Sequence, residues 1–401
     1  MKLIFKENMD WTADSVFAKG AFAAKASLVV DRASANGEKS SLLKNLFPNY
    51  AYITLDIPLL ARQASENGEA FLEQYQSPII IDEIQYAPEL FRSLKIVIDG
   101  DREKNGRYIL TGSQHYSLMS GVSETLAGRI AITSLQSLSI SELQNHYQGS
   151  FGIEQLLNWI LQGGYPELHA KNLDPSPFFQ DYVSTYLERD VRQLLNVRNL
   201  RDFDQFMRLL ALRSGQIFSM NRLATEIGVS NHTIKNWINV LEASNIIYLL
   251  KPFFRNFGKR LVKAPKIYFL DTGLLCYLAN ITSIEALQNS PLLGAYFETL
   301  VLGQILRNGY NSGINPAIYF YRDKDGHEVD FVIPEGNQLR LYECKWNDSG
   351  SVIPKNLQKV ASTIGQENIL NMATITNCPT TTAVMGDQYR LISVADAGKV
   401  L

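Results

Sequence analysis

The run Pro78-Ile-Ile-Ile-Asp82-Glu83 sets three β-branched residues directly before two carboxylates. Continuous apolar runs of this kind are typical of strands that are buried on both faces of a parallel sheet. In P-loop proteins such a strand carries an Asp toward Mg²⁺ and a Glu toward the attacking water. We therefore predict that Asp82 holds Mg²⁺ beside a bound nucleotide and that Glu83 is catalytic. A solvated strand end is the alternative interpretation.

Four further apolar runs flank this segment and are separated by helical patterns. Because β-branched strands that alternate with helices form βαβ units, the alternation predicts a doubly wound α/β domain with a parallel sheet. The predicted strands are residues 26–30, 51–55, 107–111 and 130–135, the predicted helices are 40–46 and 87–99, and the predicted domain is 1–150.

The segment between the first strand and the first helix departs from the usual phosphate-binding pattern. A P-loop has a glycine directly before its lysine and another five residues earlier, but these positions are Glu38 and Ala33. A carboxylate beside bound phosphates is repelled by them. A one-residue shift of the loop would let the nearest glycine make the sharp turn. The predicted nucleotide-binding residues are Gly37, Lys39, Ser40 and Ser41, with Ser40 also a ligand of Mg²⁺.

Two later segments carry candidates for the same site. Ser113 and Gln114 follow the strand 107–111, where a polar side chain can contact the terminal phosphate. Arg129 comes just before the next strand and is predicted to stabilise phosphate charge, either within the chain or across a subunit interface of a homo-oligomer. The alternative for Arg129 is a surface arginine.

The middle of the chain has a different pattern. Residues 151–215 predict a helical lid, and residues 216–285 predict a winged-helix-like segment with a helix-turn-helix. Short polar side chains at the start of the helix 231–243 suit contact with base edges, so DNA binding is one hypothesis. A winged helix that packs or binds a protein is the other. The side chains are Ser230, Asn231, His232, Thr233, Lys235 and Asn236, with basic residues nearby at Arg255, Lys259, Arg260 and Lys263.

Residues 286–401 predict an α/β domain whose hairpin at 328–345 resembles the PD-(D/E)XK nucleases. In those enzymes an Asp on one strand and a Glu-x-Lys motif on the next hold Mg²⁺ and activate water. Strand alternation puts Glu343 and Lys345 on one face. An ordinary hairpin with a solvated Glu-Lys pair and a nuclease-like fold kept for binding are the alternatives. The predicted catalytic residues are Asp330, Glu343 and Lys345, and the predicted Mg²⁺ ligands are Glu298, Asp330 and Glu343.

Six motifs spread over most of the chain support one family resemblance. They are Ile81-Asp-Glu-Ile-Gln-Tyr-Ala-Pro-Glu-Leu90, Leu110-Thr-Gly-Ser-Gln114, Leu126-Ala-Gly-Arg129, Gly163-Gly-Tyr-Pro-Glu167, Tyr186-Leu-Glu-Arg-Asp190 and Lys266-Ile-Tyr-Phe-Leu-Asp-Thr-Gly273. The chain resembles a large prokaryotic family of AAA-type ATPases with a C-terminal domain of unknown function and restriction-endonuclease-like fold. The resemblance implies ATP and Mg²⁺ as cofactors, with Lys39 and Ser40 at the phosphates and Asp82 and Glu83 at the metal and the water.

Two functional hypotheses follow. The first is an ATP-binding protein, an ATPase with an altered P-loop, whose nucleotide state is coupled to the winged-helix and nuclease-like regions. The second is a DNA-binding or Mg²⁺-dependent DNA-cleaving protein in which the nucleotide site is vestigial.

Composition limits the other classes of function. The net charge of −2 gives no generally basic surface, so contact with nucleic acid must come from local patches. Three scattered cysteines are too few for a disulfide framework or a zinc site. The sequence contains no apolar run close to the length of about 18 residues that a membrane span needs. The N-terminus also has no secretory pattern, so we expect a cytoplasmic protein without membrane contact.

Overall fold

Five parallel strands form the first sheet, in the order β2-β3-β4-β1-β5. The computed structural model describes residues 27–32, 38–112, 125–126, 128–147, 152–187, 200–253, 264–347, 353–385 and 389–400. The strands are β1 (Ser27–Arg32), β2 (Ala51–Thr54), β3 (Ile79–Asp82), β4 (Tyr108–Thr111) and β5 (Ile130–Leu135). The predicted parallel α/β sheet is confirmed, and β4 lies between β1 and β3.

Successive residues of β3 are buried in two different cores. Ile79 and Ile81 pack in the same cluster as Leu94, whereas Ile80 packs with Leu43 on the opposite face. Because helices cover both faces, a ligand can approach these strands at their carboxyl edge. The helices of this region are α1 (Glu38–Leu46), α2 (Pro58–Glu66), α3 (Gly68–Gln74), α4 (Leu90–Gly100) and α5 (Ile140–Tyr147), with a 3₁₀ turn at Ile84–Tyr86.

The next segment is helical, as its sequence pattern predicts. A turn at Gly163, whose φ is 75°, ends the first of its helices. The helices are α6 (Ile153–Gln162), α7 (Pro166–Lys171), α8 (Pro175–Tyr182) with a π-helical continuation at Val183–Leu187, and α9 (Leu200–Ala211). Residues 188–199, which belong to the predicted helical lid and include the motif residues up to Asp190, lie outside the described residues.

Two helices joined by a short turn follow, α10 (Met220–Ile227) and α11 (Asn231–Ala243). Gly228 ends α10 with a φ of 84°, and the hydroxyl of Ser230 accepts a hydrogen bond from the Thr233 amide at 3.1 Å, which caps α11. A small antiparallel sheet accompanies them in the order β6-β8-β7, with β6 (Gln216–Ile217), β7 (Ile247–Leu250) and β8 (Lys266–Phe269). The winged-helix assignment stays a prediction.

A six-stranded mixed sheet, β13-β14-β12-β11-β10-β9, forms the C-terminal region. Strands β10 and β11 make the antiparallel hairpin that the sequence predicts. The elements are α12 (Thr272–Leu278), α13 (Ile284–Gln288), α14 (Leu293–Asn311), β9 (Tyr319–Arg322), β10 (Glu328–Glu335), β11 (Gln338–Lys345), α15 (Lys355–Ile364), β12 (Ile369–Thr376), β13 (Thr382–Met385) and β14 (Tyr389–Ser393), with 3₁₀ turns at Gln366–Asn368 and Val394–Val400.

One continuous apolar cluster extends from residue 138 to residue 400. It includes Trp159 of α6, Trp237 of α11 and Phe297 of α14. The helical segment, the helix-turn-helix and the C-terminal region therefore share a core. The boundaries predicted at 215 and 285 lie within this shared core, whereas the first sheet has separate core clusters. All three boundaries stay predictions about sequence units.

Helix α14 also makes buried polar contacts with the segment that follows the first sheet. Arg307 donates hydrogen bonds to the Ser137 hydroxyl at 2.7 Å and to the Leu270 carbonyl at 2.8 Å. The side-chain oxygen of Gln304 accepts a hydrogen bond from the Ile140 amide at 2.8 Å. These bonds connect the C-terminal region directly to the segment between β5 and α5.

Helix α12 begins in close contact with the turn that ends α6. The Asp271 carboxylate accepts hydrogen bonds from the Gly164 amide at 2.8 Å and from the Gly273 amide at 2.9 Å. A Cβ atom on Gly273 would lie 2.6 Å from the carbonyl carbon of Gln162. Glycine is therefore required here by the close approach of two backbone segments.

Candidate nucleotide site and C-terminal carboxylate cluster

The carboxyl edge of the first sheet brings Ser40 and Asp82 together. Ser40 lies in the first turn of α1, and Asp82 is the last residue of β3. The Ser40 hydroxyl donates a hydrogen bond to the Asp82 carboxylate at 2.6 Å. Because β4 separates β1 from β3, this bond joins elements whose strands are not neighbours.

Two further hydroxyl groups donate hydrogen bonds to Asp82, which is only 5% exposed. The Tyr52 hydroxyl bonds to it at 2.5 Å, and the Thr111 hydroxyl contacts its other oxygen. Burial, with the Asp82 hydrogen bond as the next cause, raises the pKa of Tyr52, so this phenol stays protonated and donates. The sequence analysis missed both residues. Thr111 ends β4 in the same way as Asp82 ends β3, so its position at the end of a strand could have indicated that it lies near Asp82. No feature of the neighbouring sequence marks Tyr52 in this way.

The Ser40 and Asp82 pair fits a magnesium site. Mg²⁺ prefers oxygen ligands and is usually held by one or two protein groups together with phosphate oxygens. A serine hydroxyl and a buried carboxylate in mutual contact provide such a set. Lys39 and Ser41 belong to α1, but their side chains lie outside the described residues, as do Gly37, Ser113 and Gln114.

Glu83 has an unusual backbone conformation directly after β3. Its φ of 57° and ψ of 44° lie in the left-handed region, which residues other than glycine rarely adopt. Its carboxylate accepts a hydrogen bond from the side chain of Gln85. Strained conformations of this kind cluster at functional sites. The geometry is therefore compatible with the catalytic role predicted for Glu83, next to Asp82.

Arg129 does not lie with these residues. It precedes Ile130, which pairs with Ser27 at the start of β1, so it lies at the amino edge of the sheet. Its guanidinium binds both carboxylate oxygens of Asp99 at the end of α4, at 2.7 and 3.0 Å. Hydrogen bonding to Asp99 raises the pKa of Arg129. The prediction that Arg129 contacts a nucleotide bound by its own chain is therefore wrong. A role of Arg129 across a subunit interface stays a prediction.

The C-terminal hairpin brings Asp330, Glu343 and Lys345 together on one face. Phe331 pairs with Tyr342, so the next residues of the two strands, Asp330 and Glu343, are opposite each other. The Asp330 carboxylate accepts a hydrogen bond from the Cys344 amide at 2.8 Å, and Lys345 binds Glu343 at 2.9 Å. Both carboxylates are buried, with 9% and 4% of the residue exposed. A solvated hairpin face does not describe this cluster.

A lysine that the sequence analysis did not consider lies among these carboxylates. The Lys266 ammonium is 2.9 Å from Glu298, 2.5 Å from Glu328 and 3.6 Å from Asp330. Lys266 opens β8, which belongs to the small antiparallel sheet and not to the hairpin. Sequence spacing could not reveal the contact, because 64 residues separate Lys266 from Asp330.

The predicted Mg²⁺ site at Glu298, Asp330 and Glu343 stays a prediction, and in the structure these side chains are held by ion pairs and hydrogen bonds. The Glu298 oxygen nearest the cluster binds Lys266 and the Tyr268 hydroxyl, and both Asp330 oxygens have partners. Burial, followed by the charge of Asp330, raises the pKa of Glu343 to about 8 and that of Glu298 to about 7.

The hairpin turn before β10 also contains three potential metal ligands. Oxygen and nitrogen atoms of Asp323, Asp325 and His327 lie within 4.8 Å of one another. The Asp323 carboxylate already accepts a hydrogen bond from the His327 amide at 3.0 Å and contacts the His327 ring at 3.2 Å. These bonds account for the turn without a metal.

The polar residues at the start of α11 are on the surface. Asn231, His232 and Lys235 are exposed, as is Ser230. The hydroxyl of Ser230 is engaged in the helix cap, while His232 and Asn236 contact each other at 3.2 Å, and Thr233 is partly buried. The basic residues predicted to assist, Arg255, Lys259, Arg260 and Lys263, lie outside the described residues.

Comparison with known families agrees with the arrangement of the first sheet and its site. Residues 39–144 match the model of an AAA domain. Residues 153–285 match a domain of unknown function (DUF8612), and residues 293–387 match another (DUF4143). The fold and the site thus define an AAA-type P-loop protein. Its first domain is therefore an AAA domain, and its C-terminal region contains a domain of unknown function (DUF4143).

Three relatives of known sequence carry names that state no function. The chain is 32% identical over 275 residues to a protein of Mycobacterium tuberculosis (Rv2008c) and equally to one of Mycobacterium bovis (Mb2031c), which covers 68% of this chain and 60% of each relative. A Haemophilus influenzae protein is 21% identical over 294 residues, which covers 69% of this chain and 66% of that protein. The chain thus spans less than two thirds of these relatives.

Solved structures offer a weaker similarity. The Walker-type ATPase PabY2304 of Pyrococcus abyssi is 15% identical and covers 69% of this chain and 97% of its own, with a TM-score of 0.44. A TM-score this low does not bear on the function. Within the described residues, no helix combines the length and the apolar character that crossing a membrane requires.

Proposed function

We propose that this chain binds ATP with Mg²⁺ at the carboxyl edge of its first sheet and hydrolyses it. The observation that carries the proposal is the 2.6 Å hydrogen bond between Ser40 and Asp82. A hydroxyl at the start of a helix and a buried carboxylate at a strand end are the two protein groups that hold the metal in P-loop proteins. Their contact joins the two halves of such a site even though the loop before Lys39 is altered.

Each residue of the site has a separate role in this proposal. Backbone amides at the start of α1 and the Lys39 side chain bind the phosphates. Ser40 and Asp82 hold Mg²⁺, which when bound offsets phosphate charge. Tyr52 and Thr111 orient the Asp82 carboxylate through the hydrogen bonds that they donate. Glu83 positions the attacking water and accepts its proton.

In this proposal, a structural change at the nucleotide site reaches the C-terminal region through direct contacts. Helix α14 binds the segment between β5 and α5 through Arg307 and Gln304, both of which are buried. A shift of β5 on nucleotide binding would therefore move Ser137 relative to α14. This coupling is the second part of the proposed function, and it needs no separate linker.

ATP with Mg²⁺ is expected to raise the melting temperature of the chain, since a ligand that binds only the folded state stabilises it. At an ATP concentration 100-fold above the Kd, the gain is about 2.7 kcal/mol. Ser40→Ala should reduce the shift and Glu38→Gly should increase it, because the latter removes a carboxylate from the phosphate loop. Thermal unfolding with and without ATP measures both effects.

The matched control is Ser362→Ala, since Ser362 is an exposed helical serine in the C-terminal region. It should retain the full shift. Absence of any shift at millimolar ATP in the wild type and in Glu38→Gly would contradict ATP binding.

DNA binding by α11 without cleavage is the second candidate function, favoured by the exposed Asn231, His232 and Lys235 at the start of that helix. Plasmid DNA incubated with the chain and Mg²⁺ is expected to stay intact, because Lys266 holds the carboxylates that cleavage would need. The same sample should retard the DNA in a gel, and Lys235→Ala should weaken that retardation.

Lys345→Ala serves as the control for cleavage. Cutting by the wild type that Lys345→Ala abolishes would contradict the expectation and restore the nuclease hypothesis. Equal cutting by both proteins would identify a contaminating nuclease.

A further inference from the structure

We propose that Lys266 is the permanent cation of the C-terminal carboxylate cluster and that it excludes a divalent metal from that cluster. The cluster consists of Glu298, Glu328, Asp330 and Glu343. In this proposal the ammonium joins the hairpin of the six-stranded sheet to β8 of the small sheet through ion pairs, and the cluster is not a metal centre. This inference is independent of the proposed ATP site.

The first support is the way in which the ammonium is surrounded. Lys266 Nζ lies 2.5 Å from a Glu328 oxygen and 2.9 Å from a Glu298 oxygen, and a longer ion pair of 3.6 Å joins it to Asp330. Its side chain is only 3% exposed. A buried ammonium is stable only when opposite charges compensate it, and these carboxylates supply that compensation.

The second support is the state of the carboxylate oxygens. Asp330 uses one oxygen for Lys266 and the other for the Cys344 amide at 2.8 Å. Glu328 also binds Arg322 at 2.9 Å, and Glu343 binds Lys345 at 2.9 Å. Among the described residues, one buried oxygen of Glu343 has no hydrogen-bond partner. A divalent ion in this cluster would have to replace the ion pairs and the hydrogen bond that these oxygens already make.

The third support is that the cation comes from another structural unit. Lys266 starts β8, whose neighbours in the small sheet are β6 and β7, whereas the hairpin belongs to the six-stranded sheet. Tyr268, two residues on, also points to the cluster and donates its hydroxyl to Glu298. A divalent ion among these carboxylates would lie next to the ammonium and be repelled by it. Metal binding and the contact between β8 and the hairpin are therefore alternatives.

Titration of the full chain with Mn²⁺, followed by the paramagnetic resonance signal of the free ion, tests the proposal. Wild type and Asp330→Asn are expected to bind the same number of ions, because Asp330 is not a ligand. Lys266→Met should gain one equivalent, since it leaves the carboxylates without their cation. The double variant Lys266→Met with Asp330→Asn should lose that equivalent again. Lys266→Arg, which keeps the charge, should not gain it.

Wild type and Asp330→Asn bind the same number of Mn²⁺ ions elsewhere, at Asp82 or at the turn that contains Asp323. The difference between the two proteins therefore counts only ions bound at the cluster. One more equivalent in the wild type than in Asp330→Asn would overturn the proposal, and this comparison holds even if Lys266→Met does not fold. A folded Lys266→Met that gains no ion would overturn the claim that the lysine excludes the metal.

Discussion

Replacement of Glu83 by glutamine is expected to preserve ATP binding and to slow ATP hydrolysis by roughly 10²-fold or more. The amide has nearly the shape of the carboxylate but cannot accept a proton from the attacking water. The left-handed backbone of Glu83, with a φ of 57°, fixes the direction of its side chain beside Asp82. Steady-state release of phosphate and equilibrium binding of labelled ATP, measured on the same sample, separate the two effects.

Glu89→Gln is the matched control, because Glu89 is an exposed glutamate six residues further along the chain. It should hydrolyse ATP at the wild-type rate. If Glu83→Gln is as fast as the wild type, Glu83 is not the catalytic base. If the wild type itself binds ATP but releases no phosphate above a blank, the chain is a nucleotide-binding switch.

Gly273→Ala is expected to lower the free energy of unfolding by about 3 kcal/mol. The added Cβ would lie 2.6 Å from the carbonyl carbon of Gln162 and 2.8 Å from the amide nitrogen of Gly163. These are backbone atoms, so no side chain can rotate away. The clash would separate α12 from the turn after α6, and the buried Asp271 would lose the Gly164 amide. Urea unfolding followed by circular dichroism measures the change.

Gly294→Ala provides the comparison, since Gly294 also lies in a helix but an added Cβ would meet nothing within 4 Å. It should be neutral or stabilise the chain by up to about 1 kcal/mol, because alanine favours the helix. Equal stability of the two variants would show that α12 can move away from the turn at little cost.

The sequence predicts those parts of the fold that depend on local patterns. The strand 78–82 is visible because its isoleucines face two cores, and the turn after α10 is visible because Gly228 and Ser230 are end signals. The meeting of Asp330 and Glu343 follows from hairpin register. In each case the cause lies within about 20 residues of the effect.

The contacts that the sequence did not predict join distant segments. Tyr52 reaches Asp82 across 30 residues, and Lys266 reaches Glu298 across 32. No local pattern requires a phenol or an ammonium at those positions, because the partner of each lies on a different strand or helix. Arg129 shows the converse error, since its position directly before the strand 130–135 already indicated the amino edge of a parallel sheet, whereas Asp82 ends its strand at the carboxyl edge.

The hydrogen bonds between α14 and the segment after β5 also limit which parts of this protein can be exchanged with those of a relative. A fragment that begins after residue 285 would carry Arg307, a residue that is 5% exposed in the full chain, but it would lack the Ser137 hydroxyl and the Leu270 carbonyl. A hybrid that takes its ATPase half from one relative and its C-terminal half from another would have to bring matching partners for Arg307 and Gln304. We therefore expect the two halves to be inherited as a unit, and expect hybrids to fold only when the 137–140 segment and α14 come from the same parent.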